Sequence, residues 1–559
     1  MDKPLMDKPV LPDFPPTLPN LIANACSKFP DQPFLVCGDQ QLTYAEADAR
    51  SAELAKGLLA AGIGKATRVA ILMPNSPDWV LCWLAASRIG AITFPVSTLF
   101  QPRELAWLLD HADIDTLLVT GHYAGHDYME RLERAIPALA AQRTTQLALP
   151  SHPYLRRIVA WGDTSRAWAL RGPDDVLALA AARPAIDNAF LASVESKIVP
   201  SDSLLAICTS GSTAEPKVVL HSHSSALLTP YMHLTYKVRN GGMRDFVGMP
   251  LFWLGGLNVN LIPGLFEGAC LVFSPTPKTD DILDTIVSHK VNRVNMWQTQ
   301  RKALFDRAAE KGINLATMVG DITEPRDDIG NIIPMNRRVT SILGMTESFG
   351  PHGVEWRNTI LPESRAGSLG HAIEGIERRI VDQASGAVLQ PGETGELQIR
   401  GFTLMQGYYK KARDEVFTRD GWFSTGDLCH LDADGYIYFH GRRSEMIKSM
   451  GANIAPREVE LQLESLPGVR EAIVFGVPDE KRGESVMAVV VPLEGQKVDG
   501  NALRAGLKDR LSSYKVPDDI IVARFEDIPR TDSGKSKKNE LRKILPALKA
   551  AAAGKAAAG

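Results

Sequence analysis

Two periods of hydrophobic and polar residues alternate along the first two-thirds of the chain. RVAILMP (68–74), AITFPV (91–96) and TLLVTG (116–121) are short, continuous apolar runs bounded by turn residues, the pattern of strands buried on both faces. Between them, WVLCWLAASRIG and RELAWLLDHA repeat their apolar residues at helical spacing. Strand, helix and strand in that order predict βαβ units on a largely parallel sheet. The stretch 80–96 is the best candidate for a membrane span, but Ser87, Arg88 and Gly90 interrupt it, and spanning needs about 20 mainly apolar residues. It reads as a buried helix followed by a strand, with no integral membrane segment.

Residues 122–200 are less periodic, rich in Ala and Arg, and carry no clear motif. From 377 the pattern changes to short strands with Gly turns, ERRIVD, GELQIRG and GYIYFHGR, which predicts a smaller β subdomain closing the first large unit. After Arg442 the order is IAPREVELQLESLPGVREAIVFGVPD and then VMAVVVPL, a helix–strand–strand succession typical of a compact α+β domain. A domain boundary is expected near 441–446. The tail ALKAAAAGKAAAG is of low complexity and is expected to fray or stay disordered, since it can bury almost nothing.

Composition narrows the function classes. With 559 residues the chain is too long for one core, about 150 residues being usual per domain. Lys and Arg number 62 against 65 Asp and Glu, a net charge of -3, so no bulk basic field selects nucleic acid or an anionic membrane. The six cysteines lie far apart, without a CxxC pair or a Cys/His cluster at zinc spacing, and read as reduced, mostly buried thiols. The opening MDKPLMDKPVLPDFPP places acidic residues and prolines where a signal peptide needs an apolar stretch. A cytoplasmic location is expected.

The most informative segment is LLAICTSGSTAEPKVVLHSH (204–223), where a β-type run ends in Thr209, Ser210, Gly211, Ser212 and Thr213 and resumes after Lys217. Small hydroxyl residues with Gly let N–H and O–H groups converge on phosphate oxygens, and a lysine adds a point charge. It is not a Walker A loop, because Pro216 precedes Lys217 and Val218 follows it. Four further segments point the same way. LGMTES (343–348) sets Thr346 and Glu347 after Gly344, a hydroxyl beside a carboxylate suited to a phosphate and its Mg²⁺, although such a pair at a helix start is ordinarily an N-cap. STGDL (424–428) offers Asp427, a carboxylate able to accept two ribose hydroxyls. HGRRSEMIKSMGANIAPREVE (440–460) holds Arg442 and Lys448, and IPRTDSGKSKKNEL (528–541) presents Lys535 in a Gly loop.

The order and spacing of these five segments together resemble the adenylate-forming superfamily of acyl-CoA synthetases, nonribosomal-peptide adenylation domains and beetle luciferases, over roughly residues 20–545. The resemblance implies an α/β fold: a large AMP-binding N-terminal domain over 1–441 with parallel α/β subdomains plus a β subdomain, a hinge at 442–446, a small mobile C-terminal α+β domain over 447–545, and the tail 546–559. It further implies that Thr209, Ser210, Gly211, Ser212, Thr213 and Lys217 hold the β- and γ-phosphates of ATP, Thr346 the α-phosphate and Glu347 the Mg²⁺. Asp427 and Arg442 would hold the ribose, and Lys535 would bridge the attacking carboxylate and the α-phosphate. Ser444 would be the pivot, with Lys448 and Gly451 on the face serving transfer to CoA. In-line attack on phosphorus needs little besides positioning and charge neutralisation, which fits this residue set.

Several positions depart from the family pattern. Ala214 and Val218 replace phosphate-loop glycines, Leu343 an aromatic, Met450 a glycine beside Gly451, and Trp253 a histidine. Trp253, Gly255 and Gly256, in MPLFWLGGLN (249–258), are candidates for the acyl pocket, with Trp253 equally readable as a core aromatic. The expected activity is activation of a fatty or otherwise apolar carboxylic acid to acyl-AMP with release of pyrophosphate, then transfer to CoA. Loading of a carrier protein, cyclisation of the adenylate, and a catalytically impaired scaffold remain as alternatives, and a homodimer is left open.

Overall fold

The three apolar runs at the start of the chain form neighbouring parallel strands, Arg68–Leu72 lying between Ile92–Pro95 and Thr116–Thr120. The computed structural model describes residues 11–559 apart from 163–164, 210–216, 236–241, 297, 316–342, 355–359, 443–444, 450–451, 455, 480–481, 509, 512–514, 532–533 and 558–559. The chain gathers into two compact units, one of Met1–Ile322, Gly344–His352 and Gly401–Val416, the other of Thr323–Leu343, Gly353–Arg400 and Phe417–Gly559.

In the first unit the three strands belong to an eight-stranded sheet. Arg157–Trp161 and Ala169–Gly172 extend it in parallel beyond Thr116–Thr120, so the stretch without a sequence motif supplies two strands. On its other side Ser203–Thr209 runs parallel to Ile92–Pro95, and Lys217–Ser222 and then Gly407–Tyr408 follow antiparallel. A second sheet of five strands is parallel except for the Pro33–Cys37 and Gln40–Thr43 hairpin. The helix Pro77–Arg88 is buried along almost its whole length. Ser76 caps it by accepting from the Trp79 N–H at 3.2 Å, as an N-cap serine should. Arg88, at its last turn, is 6% exposed and is neutralised by Asp48 at 2.9 Å and Glu195 at 2.5 Å. This pairing lets a cation sit inside an otherwise apolar helix. Among the described residues no helix is long and apolar enough to cross a membrane.

The second unit holds the four-stranded sheet Ile376–Val381, Gly395–Gly401, Phe423–Leu431 and Ile437–Arg442, in that spatial order. It also holds a five-stranded sheet centred on the antiparallel pair Val469–Asp479 and Gly483–Pro492, with Asp519–Val522 added in parallel. Helix Lys538–Ala557 continues well into the alanine-rich tail, where high helix propensity carries on the segment that Leu541 and Leu545 anchor by burial. The architecture is thus mixed α/β with parallel sheets and a separate C-terminal α+β portion.

Candidate functional site

Strand alternation builds one face of the candidate site. Lys217 and His221 lie on the same side of Lys217–Ser222, and Tyr408 stands directly opposite Val219, which is on that side too. A side chain diagonal to Tyr408 across the pair therefore reaches its ring, and the Lys217 Nζ lies 4.9 Å from the ring centroid. Thr209 pairs with Lys217 at the end of the hairpin where the chain passes from one strand to the next, its hydroxyl 3.4 Å from the Lys217 carbonyl.

The segment 344–351 lies against these residues. Gly344–Met345 pairs antiparallel with Gly350–Pro351, and Thr346–Ser348 form a single 3₁₀ turn between them. A Cβ on Gly344 would stand 2.4 Å from the Pro351 Cα, so only glycine permits this pairing. Phe349, at φ 54°, closes the turn in the left-handed region. Four bonds fix the turn. The His221 Nε2 donates to the Thr346 carbonyl at 2.7 Å, and the Met405 N–H donates to the Glu347 carbonyl at 2.8 Å. The Tyr408 hydroxyl donates to the Glu347 Oε1 at 2.7 Å, and the Asn258 amide donates to the Phe349 carbonyl. Burial depresses His221 to a pKa of about 4, so its ring is neutral at pH 7. Because a carbonyl can only accept, Nε2 carries the proton and Nδ1 accepts from Ser225 at 3.2 Å.

Thr209, Lys217, Gly344, Thr346 and Glu347 are thus brought together on one sheet face. Tyr408 and His221 belong with them although no sequence motif singled them out. Their only signals were a GYY triplet and an alternate position two residues on either side of Val219, and neither has meaning until the strands pair. Ser210, Gly211, Ser212 and Thr213, with Ala214, lie outside the described residues, as do Ser444, Met450 and Gly451.

Trp253 is half-buried with its ring edge-on to Phe252, centroids 5.2 Å apart. It precedes a helix that begins at Leu254, passes through a π-turn at Leu257–Leu261 and continues to Glu267. A Cβ on Gly256 would stand 2.4 Å from the Pro250 carbonyl, and one on Gly255 2.9 Å from the Met249 sulfur. Both glycines therefore have a packing reason. Asn258, inside the π-turn, ties this helix to the Thr346–Glu347 segment.

In the second unit Asp427 and Arg442 are cross-strand partners. Gly426, at φ 76°, kinks the strand just before Asp427. The Arg442 Nε lies 2.7 Å from the Asp427 Oδ1, and the guanidinium also donates to the Thr425 carbonyl at 3.1 Å. Asp427 is 3% exposed and the Arg442 side chain 43%, so the carboxylate is held and the cation is half in solvent. Lys448 and Lys535 lie in separate segments, each with an exposed side chain. Lys448 lies on Ile447–Ser449, its N–H donating to Glu484 at 2.6 Å. Lys535 follows Gly534 in a turn closed by the Thr531 N–H donating to its carbonyl at 2.8 Å. Neighbouring Arg530 is fixed by Glu471 at 2.6 Å and by stacking on Phe525.

Among the described residues no group of three or more His, Cys, Asp or Glu side chains could enclose a metal by itself. Mg²⁺ carried by a nucleotide commonly takes one or two protein carboxylates and completes its shell with phosphates and water. Glu347, half-buried and held at one oxygen, suits that donor set.

The AMP-binding enzyme family model matches residues 22–409, and the AMP-binding enzyme C-terminal domain matches 458–535. The putative acyl-CoA synthetase YngI of Bacillus subtilis is 29% identical over 94% of this chain and 96% of its own length. A feruloyl-CoA synthase of Amycolatopsis sp. is 30% identical over 90% and 94%. The solved structure of the anthranilate CoA ligase AuaEII in complex with anthranoyl-AMP shares the fold, with a TM-score of 0.71 at 22% identity, covering 96% of this chain and 98% of that one. The chain belongs to the AMP-binding enzymes, within the acyl- and aryl-CoA ligase branch of the adenylate-forming superfamily, acid–thiol ligases that use ATP, Mg²⁺ and CoA.

Proposed function

We propose that the protein activates an apolar carboxylic acid with ATP to an acyl-adenylate and pyrophosphate, then transfers the acyl group to CoA with release of AMP. The observation that carries this reading is the convergence of Thr209, Lys217, Thr346 and Glu347 on one sheet face, with Tyr408 and His221 holding the last two in place. Thr209 and Lys217 receive the outer phosphates, Thr346 the α-phosphate, and Glu347 the Mg²⁺, which neutralises charge on the phosphates. Asp427 accepts the ribose hydroxyls while Arg442 orients its carboxylate. Lys535 stabilises charge where the acid's oxygen meets the α-phosphorus, a contribution made only as that charge develops. Lys448 serves the second step, attack of the CoA thiol on the adenylate carbonyl with AMP leaving.

Aromatic acids are the first class to test, with fatty acids beside them. The half-buried indole of Trp253 offers an apolar wall, and one of the relatives at 30% identity is a feruloyl-CoA synthase. The test is pyrophosphate release across aryl, aryl-alkyl and straight-chain acids, with and without CoA. Acid-dependent pyrophosphate in the absence of CoA, and AMP with a CoA thioester in its presence, are expected. AMP formation that no acid stimulates would reject the reading.

A further inference from the structure

The aromatic ring and the hydroxyl of Tyr408 face two different charged groups. Its ring lies beneath the Lys217 ammonium, with Nζ 4.9 Å from the centroid, and its hydroxyl donates to the Glu347 Oε1 at 2.7 Å. Lys217 and Glu347 are 130 positions apart in the chain and opposite in charge, yet this one side chain stands against both. Its backbone is fixed independently of either group. Gly407–Tyr408 is paired with Val219 and Leu220, the Gln406 N–H donates to the Leu220 carbonyl and the Tyr409 N–H to the Val218 carbonyl, each at 2.8 Å. The Tyr409 hydroxyl is also bound to Asp113 at 2.9 Å.

We infer that Tyr408 is a positioning residue that sets the Mg²⁺-binding carboxylate of Glu347 and the phosphate-binding ammonium of Lys217 in one fixed register. This rests on the proposed roles of those two residues. A hydroxyl donating to one carboxylate oxygen restricts rotation of the Glu347 side chain and leaves Oε2 as the oxygen turned to a cation. The ring face attracts the ammonium without consuming its N–H donors as a carboxylate partner would, so they stay available to phosphate oxygens.

Two substitutions separate the functions of the side chain. Tyr408→Phe keeps the ring and removes the hydroxyl, whereas Tyr408→Leu removes both. The measurement is calorimetric binding of a non-hydrolysable ATP analogue to the full-length protein without acid or CoA, at increasing Mg²⁺ and with Mg²⁺ absent, alongside the melting temperature. Tyr408→Phe is expected to raise the half-saturating Mg²⁺ about 10-fold or more while leaving metal-free analogue binding within about 2-fold. Tyr408→Leu is expected to weaken metal-free binding as well, by about 3- to 10-fold. A Phe variant with wild-type Mg²⁺ dependence would overturn the inference, as would equal losses with and without metal. If the wild-type protein binds the analogue with no Mg²⁺ dependence, the proposed role of Glu347 falls first and this inference falls with it.

Discussion

The His221 Nε2 lies 2.7 Å from the carbonyl oxygen of Thr346, joining the strand that begins at Lys217 to the turn that carries Glu347, 125 residues further along the chain. His221→Leu, which leaves the Thr346 carbonyl without this donor, should therefore lower the pyrophosphate-release rate more than it lowers stability. Removing one buried hydrogen bond costs about 1–3 kcal/mol, whereas a small displacement of reacting groups can cost about 100-fold in rate. Chemical denaturation and initial rates on the same preparation check this. A rate change no larger than the stability change accounts for would place His221 in the core only.

Acidification should destabilise the first unit through two histidines. Burial holds both His221 and His223 at a pKa of about 4, against 6.5 for the free side chain. Between those values the unfolded chain binds more protons than the folded one, so stability falls as pH drops from about 6.5 to about 4 and is fully present above that window. The ceiling is about 3 kcal/mol per histidine. Denaturant midpoints for wild type and His221→Gln at pH 7.5 and 5 should differ less for the variant.

Asp427→Ala should abolish discrimination between ATP and 2′,3′-dideoxy-ATP, because the carboxylate is the proposed acceptor for both ribose hydroxyls. The cost in folding should stay modest, since the Arg442 side chain left behind is 43% exposed and can be hydrated. Competition binding of the two nucleotides to wild type and variant reads this out. Retained preference for ATP would move ribose recognition to another residue.

The lysines at 535 and 448 should separate the half-reactions. Lys535→Ala is expected to stop adenylation and to spare thioester formation from a supplied acyl-adenylate, while Lys448→Ala is expected to do the reverse. Both side chains are exposed, so neither change should shift the melting temperature by more than a degree or two. Equal impairment of both steps in either variant would sink its assignment.

Trp253→Ala should change which acid is preferred while leaving the ATP KM nearly unaltered, since a methylene-sized change of fit is worth about 1–3 kcal/mol. If the indole serves packing alone, all acids should suffer alike and the melting temperature should fall. Comparing kcat/KM over aryl and straight-chain acids with the thermal midpoint distinguishes the two.

The sequence by itself determined the strands Arg68–Leu72, Ile92–Pro95 and Thr116–Thr120 and the buried helix Pro77–Arg88, because strand and helix periods are local properties and both sheet faces must be apolar where helices cover them. The candidate residues Lys217, Glu347, Asp427 and Lys535 were also picked out there, since their types and intervals are written in the chain. Only the tertiary structure decided that Arg157–Trp161 and Ala169–Gly172 enlarge the main sheet, for edge pairing depends on a partner strand that local pattern does not name. It alone decided that Gly407–Tyr408 joins Lys217–Ser222, nearly two hundred positions away. That pairing gives Tyr408 and His221 their meaning: a histidine or tyrosine in an apolar run has no chemical identity until strand register chooses the groups its polar atoms must satisfy.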